Sequence, residues 1–253
     1  MRSIFRSKRG RIGGSLAAGL ALAAALAWHA AAQGSHLPDD PRQLQVLAGP
    51  GRQAAALDRL RALAEDNAPL ARRALGETLL TAAGGRAEAH AWLRLAAQAG
   101  DPHAAFLLGK ALMGDAAGAP DDGIRGARWL GAAADAGHAG AAFHLGIAHR
   151  NGYGVPRDAA KAARWFRVAA DQGQPAAQFM LANAYRTGDG VPRDEGEALR
   201  LYTEAAEQDH PEAVQTLAMA YRDGELGLAR DEMQARHYLL ETAHALKHPA
   251  LRP

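Results

Sequence analysis

His138–Gly173 reads HAGAAFHLGIAHRNGYGVPRDAAKAARWFRVAADQG, and Gln174–Asp209 reads QPAAQFMLANAYRTGDGVPRDEGEALRLYTEAAEQD. Both stretches are 36 residues long and align without a gap. Phe143 falls on Phe179, Leu145 on Leu181, Gly152 on Gly188, and Val155-Pro156-Arg157-Asp158 on Val191-Pro192-Arg193-Asp194. A fixed period of this length marks a repeat array, in which each unit buries its apolar face only against its neighbours.

The spacing within one unit predicts two helices. Ala141, Leu145, Ala148 and His149 share one stripe of a first helix (A) over about Ala139–Arg150, with Gly146 at the edge, where another helix can press close. Asn151-Gly152-Tyr153-Gly154 breaks that helix, because glycine takes positive φ at little cost. Asp158 is placed to cap a second helix (B) over about Ala159–Gln172, which presents Ala162, Trp165, Phe166 and Ala169. In the next copy Asp194 and Glu197 have capping-box spacing, and Asp231 with Gln234 repeats it.

Working outward, Ala68–Gly100 and Asp101–Gly137 are earlier copies, carrying Leu75-Gly76 with Trp92 and Leu108-Gly109 with Trp129. A fifth copy, His210–Ala243, carries Leu217, Tyr221 and Ala235, with one extra residue in its Glu225–Ala229 loop. Ala56, Leu57, Leu60, Leu63 and Ala64 predict a B-type helix without an A partner, an N-terminal cap. The recurrent unit A-x-x-x-L-G-x-x-Y…G-x-G-V-P-x-D-x-x-x-A-x-x-W-F-x-x-A-A-x-x-G resembles the Sel-one-like repeat, a subfamily of the tetratricopeptide repeats. The first two copies depart from it at Ala82–Arg86 and Gly114–Pro120, which lack G-x-G-V-P. The resemblance implies an all-α fold: a right-handed α-solenoid of about five antiparallel helix-pair repeats over residues 53–246. It also implies a protein-binding adaptor or scaffold, often periplasmic in bacteria and engaged in signalling or envelope assembly.

The N-terminus predicts export. Arg2, Arg6, Lys8, Arg9 and Arg11 precede the apolar run Ile12–Ala27, and Ala30-Ala31-Ala32 offers small residues before a cleavage point at Gln33. Residues 1–32 read as a signal peptide, the alternative being an uncleaved inner-membrane anchor over residues 12–32. Both place the remainder in the periplasm. The five basic residues carry the pI of about 9.1; without them the formal charge of +2 becomes −3, which removes any case for nucleic acid. Pro38, Pro41, Gly49, Pro50 and Gly51 make residues 33–52 a Pro/Gly-rich linker, and residues 247–253 a short tail.

Catalysis lacks an inventory. Ser35 is the only serine after residue 32, and there is no cysteine, so a serine or cysteine nucleophile has almost no candidate and no disulfide framework exists. Among eleven histidines, His244 and His248 are four apart and His144 and His149 lie on one helix, but neither pair has a carboxylate at H-E-x-x-H spacing. His138 and His210 each open a repeat as turn residues. No metal and no cofactor are expected.

The functional candidate is a ladder on helix A, opposite its packing stripe: Phe143, Ile147 and Arg150. Its counterparts are Phe106, Lys110 and Met113; Phe179, Asn183 and Arg186; and Gln215, Met219 and Arg222. The resemblance puts this side of helix A on the concave face of the array. The expected function is capture of a protein segment in that groove, the phenylalanines anchoring it and the arginines pairing with its acids. The expected partner is a membrane sensor or an envelope assembly. A second reading of the phenylalanines has them pack between adjacent A helices. A glycan- or peptidoglycan-binding role is the alternative function, and a hydrolase a remote one.

Overall fold

The computed structural model describes residues 37–49, 54–82, 84–114 and 121–247, with side chains described as far as residue 240. The expected signal segment, the loop at 115–120 and residues 248–253 lie outside the described residues. Twelve α-helices and no strand occur among the described residues: α1 (Pro41–Ala48), α2 (Ala54–Glu65), α3 (Pro69–Leu80), α4 (Arg86–Gln98), α5 (Pro102–Gly114), α6 (Asp122–Asp135), α7 (Ala139–Asn151), α8 (Ala159–Ala170), α9 (Pro175–Thr187), α10 (Glu195–Ala206), α11 (Pro211–Asp223) and α12 (Glu232–Lys247). None of them is long and apolar enough to cross a membrane. The chain divides into two units, residues 1–101 and 102–253.

In the first unit, α1 pairs with α2 and α3 with α4, and α1 also touches α3. This corrects two expectations. Part of the segment read as a linker is the helix α1, and α2 has an A-type partner after all. Asp40 caps α1 by accepting from the Arg42 N–H at 2.9 Å, and Pro41 sits at the first helical position, where its missing N–H costs nothing. Leu44 and Leu47 then enter the core beside Leu60 and Leu75. Two leucines one turn apart are too short a pattern to show a period against flanking prolines and glycines.

In the second unit the A helices α5, α7, α9 and α11 each pack antiparallel on the B helix that follows, and each of the first three B helices packs on the next A helix. The core is mostly alanine with one or two larger residues on each of α5 to α11: the buried set is Ala141, Ala142, Leu145 and Ala148 on α7 and Ala162, Ala163, Phe166 and Ala169 on α8. Trp165, expected at the packing face, is only half-buried; Ala163 and Ala170 take its place. Small residues let the backbones approach, and the large B residue fills the gap. A Cβ on Gly146 would stand 2.6 Å from the Phe166 ring, and one on Gly109 would stand 2.9 Å from Leu130 Cγ.

Each repeat boundary closes with backbone bonds. His138 N–H donates to the Ala133 carbonyl (3.0 Å) and Gly137 N–H to Ala134 (2.9 Å), a Schellman ending that Gln174/Gly173 and His210/Asp209 repeat. The loop between A and B is closed by the N–H of the capping aspartate, which donates to the A helix: Asp158 to His149 (2.8 Å), Asp194 to Tyr185 (3.0 Å) and Asp231 to Tyr221 (2.8 Å). The capping box is therefore one-sided. Asp194 accepts from Glu197 N–H at 3.0 Å, but its own N–H is taken by Tyr185 and the Glu197 carboxylate turns to Arg200 at 2.6 Å. That guanidinium holds the Glu197 carboxyl below the usual carboxylate range.

Candidate functional site: the outer face of the A helices

The structure gives the ladder residues of the A helices unequal roles. Met219 is 45% exposed and Gln215, Arg186 and Arg222 are also exposed, whereas Phe106, Phe143, Phe179, Ile147, Asn183, Met113 and Arg150 are half-buried. The phenylalanine rings are engaged inside the array. Phe106 stacks on His138, the cap residue of the following A helix, with centroids 4.4 Å apart. Phe179 stacks likewise on His210 at 5.0 Å and lies 5.7 Å from Tyr202. Phe143 lies 6.0 Å from Phe166 and meets His144 edge-on at 5.5 Å. Phe106 and Phe179 thus pack against the start of the next A helix, whereas the Phe143 ring packs on the B helix of its own repeat.

The arginines differ as well. Arg222 grips Asp223 through two bonds of 2.9 and 2.7 Å, which holds the Asp223 carboxyl below its usual range. Arg150 lies against Met180 Sδ at 2.9 Å and reaches the Asn151 amide oxygen at 3.4 Å. Arg186 is in no ion pair among the described residues, and its charge opposes the rise that burial imposes on the Tyr202 phenol. Lys110, its counterpart in neither type nor position, stands 5.9 Å from the Phe106 ring centroid. Arg150, Arg186 and Lys110 are thus in no ion pair among the described residues, and of the two arginines Arg186 is the exposed one.

Asn183 has a role that sequence reasoning missed. Its Oδ1 accepts from the Tyr202 hydroxyl at 2.9 Å, and its Nδ2 donates to the Phe179 carbonyl at 2.9 Å. Tyr202 is fully buried, so its hydroxyl needs that acceptor. One repeat earlier the same two positions hold Ile147 and Phe166, an apolar pair. The difference between Ile147 and Asn183, readable as partner specificity, is a matched change of floor and wall. The signal was present as a paired difference at two positions 19 residues apart in each copy. Asn183→Ile is expected to destabilise by about 1–3 kcal/mol by orphaning the hydroxyl, while Asn183→Ile with Tyr202→Phe returns close to the parent. Urea unfolding of the single and double variants checks this non-additivity. A second unforeseen group is Gln178, 5% exposed, which accepts from Gln208 at 2.8 Å and donates to Glu204 at 3.2 Å, tying α9 to α10.

No group of three or more His, Asp or Glu is placed to hold a metal among the described residues. His149 is buried, with Nδ1 3.3 Å from the Pro156 carbonyl, and serves the loop.

This succession of helix pairs, with its glycine loops and small-residue contacts, matches the Sel1 repeat pattern at residues 85–101, 102–138, 139–174, 175–210 and 211–245. The chain belongs to the Sel1 repeat family. The fold is similar to that of a Sel1 repeat protein from Oxalobacter formigenes, with 26% identity, a TM-score of 0.69, and coverage of 82% of this chain and 89% of that one. It is also similar to c5321, a protective antigen of uropathogenic Escherichia coli with an SLR fold, at 27% identity and a TM-score of 0.70, covering 85% of this chain and 47% of that one. The immunity protein PA5088 from Pseudomonas aeruginosa shares the fold at 20% identity and a TM-score of 0.51, over 83% of this chain and 82% of that one. No curated protein matches the sequence. Sel1 repeat proteins are generally interaction scaffolds, typically bind proteins, and are generally without enzymatic activity.

Proposed function

We propose that this Sel1 repeat protein is an exported, periplasmic scaffold that binds an acidic segment of a partner protein along the outer face of its A helices. The observation carrying this reading is Arg186: an exposed guanidinium outside any ion pair among the described residues, at a position that Arg150 and Arg222 occupy in the flanking repeats. A guanidinium fork suits carboxylates, and exposed Met219 on the A helix of the next repeat offers an adaptable apolar contact. Phe106 and Phe179 support this face, each resting on the histidine that opens the next repeat. Export rests on the basic and apolar N-terminal run, and a membrane sensor or an envelope assembly is the kind of partner that a periplasmic scaffold would meet.

The test is site-specific cross-linking from position 219, compared with position 168 on α8, in the parent and in Arg186→Glu. The expected result is a cross-linked partner from position 219 only, with its yield cut by roughly tenfold or more in Arg186→Glu, the size of a lost charge-assisted contact turned repulsive. An unchanged yield with a folded variant would sink the groove reading.

A further inference from the structure

We propose that the face of α12 left uncovered by α11 pairs with the same face of a second copy, antiparallel, to form a two-fold dimer. Asp231 caps α12 by accepting from the Met233 and Gln234 N–H groups at 2.9 and 3.0 Å. Ala235 is buried, and Tyr238 stacks on Tyr221 of α11 with centroids 5.7 Å apart. Away from these contacts, Met233 is 80% exposed, Leu240 65% and Leu239 51%, with exposed Arg236 between them.

Counting from the capping aspartate shows what the same positions meet in an earlier repeat. Five and eight residues after Asp158 stand Ala163 and Phe166, each 2% exposed. Nine residues after it, Arg167 donates to the Tyr185 hydroxyl of α9, the A helix that follows. The same steps from Asp231 reach Arg236, Leu239 and Leu240. A following A helix packs on α8 and on α10, whereas among the described residues only α11 packs closely on α12. A lone exposed apolar residue is ordinary. Three within about two turns, around one arginine, have the composition of an interface core.

Register and charge name the occupant. The connection from α8 to α9 is four residues, which sets those two helices antiparallel, so a helix that takes the following A helix's place on α12 runs antiparallel to it. α12 itself extends over 16 residues, about 24 Å, and positions 243, 246 and 247 stand seven after 236, 239 and 240, continuing the stripe. With a two-fold axis between positions 239 and 240, Leu239 falls opposite the second copy's Leu240. Met233 falls opposite position 246, a leucine, and Arg236 opposite position 243, an alanine that leaves room for its stem. Glu232 falls opposite position 247, a lysine, and the two macrodipoles oppose. A parallel pair would set like charge against like at both ends. The face is therefore complementary to itself in the antiparallel sense. One helix per chain is a small interface, so the dimer is a weak, micromolar one. Arg186 and Met219 lie on α9 and α11, and self-pairing through α12 stands independently of the groove reading.

Light scattering on the full chain is expected to show a dimer at about 100 µM that dissociates on dilution. Leu240→Glu, at an exposed position, is expected to weaken the dimer by roughly tenfold or more without loss of helix content. Glu232→Lys is expected to weaken it as well, and Glu232→Lys with Lys247→Glu to restore most of the loss. The chain has no cysteine, so Leu240→Cys places a single thiol beside the axis. Mild oxidation is expected to join that variant into a covalent dimer, while Val168→Cys on α8 stays monomeric. A parent that is monomeric at about 100 µM, including one that binds lipid vesicles through this face instead, overturns the pairing. So does a dimer that Leu240→Glu and the charge exchange leave unchanged, or an equal covalent yield from Val168→Cys.

Discussion

Phe166→Ala is expected to lower the stability of the second unit by about 3–5 kcal/mol. Phe166 is 2% exposed, and its ring lies directly over Gly146, where no Cβ exists to fill the space. Truncation therefore leaves a void bounded by a glycine, which cannot relax inward with a side chain of its own. Phe143, 6.0 Å away across the same floor, loses its lateral partner too. In a repeat array the loss is shared with neighbours, because the repeats are stabilised by their interfaces. Chemical unfolding should show a lower midpoint and, if α5–α8 detach first, a broadened or biphasic transition. A loss under about 1 kcal/mol would show that Gly146 and Phe166 are not the packing pair described.

Gly190→Ala is the second large effect, expected at about 2–4 kcal/mol, against about 1–2 kcal/mol for Gly188→Ala. Both glycines have left-handed φ, +76° at Gly188 and +78° at Gly190, so the conformational penalty is common to both. Their surroundings differ. A Cβ at Gly188 meets nothing nearer than 3.6 Å, whereas one at Gly190 would fall on the carbonyl of Ala159, in the first turn of the preceding B helix. Backbone cannot swing aside as a side chain can, so the loop must lift off α8. Gly154 stands in the same relation to Gly123 of α6. Thermal unfolding of the two variants side by side separates the shared penalty from the clash; equal losses would mean that the loop does not rest on α8.

The comparison shows why the two glycines of the G-x-G loop look alike in sequence and differ in consequence. Gly188 is required by its own turn and Gly190 by the repeat before it. Local requirements of the first kind were legible: the breaks at Gly152 and Gly188, the caps at Asp158 and Asp194, and the stripe Ala141, Leu145, Ala148 and His149 that the structure buries. The helix α1 was not legible, because Leu44 and Leu47 are too few to make a period and gain their meaning from Leu60 and Leu75 on other helices. The candidate face was legible as a set of positions and illegible in its chemistry. Arg150, Arg186 and Arg222 recur at equal spacing, yet Arg222 is spent on the adjacent Asp223, and only the fold shows Arg186 outside any described ion pair.

Sequence alone determined that this chain is an all-α array of helix pairs, where the helices of the two central copies begin and break, and that it belongs with the Sel1 repeats. Those properties follow from period, turn chemistry and caps, which act over a few residues and recur in every copy. Only the tertiary structure decided which recurring residue is scaffold and which is surface. Asn183 is an acceptor for a buried phenol, Phe106 and Phe179 rest on the histidines that open the next helix, and His138 meets His103 of the preceding repeat through Nε2 while its Nδ1 caps its own helix. Each assignment depends on a partner some 20 to 35 residues away, on the other helix of the pair or across a repeat boundary, and the period that reveals the fold cannot by itself distinguish a residue facing such a partner from one facing solvent.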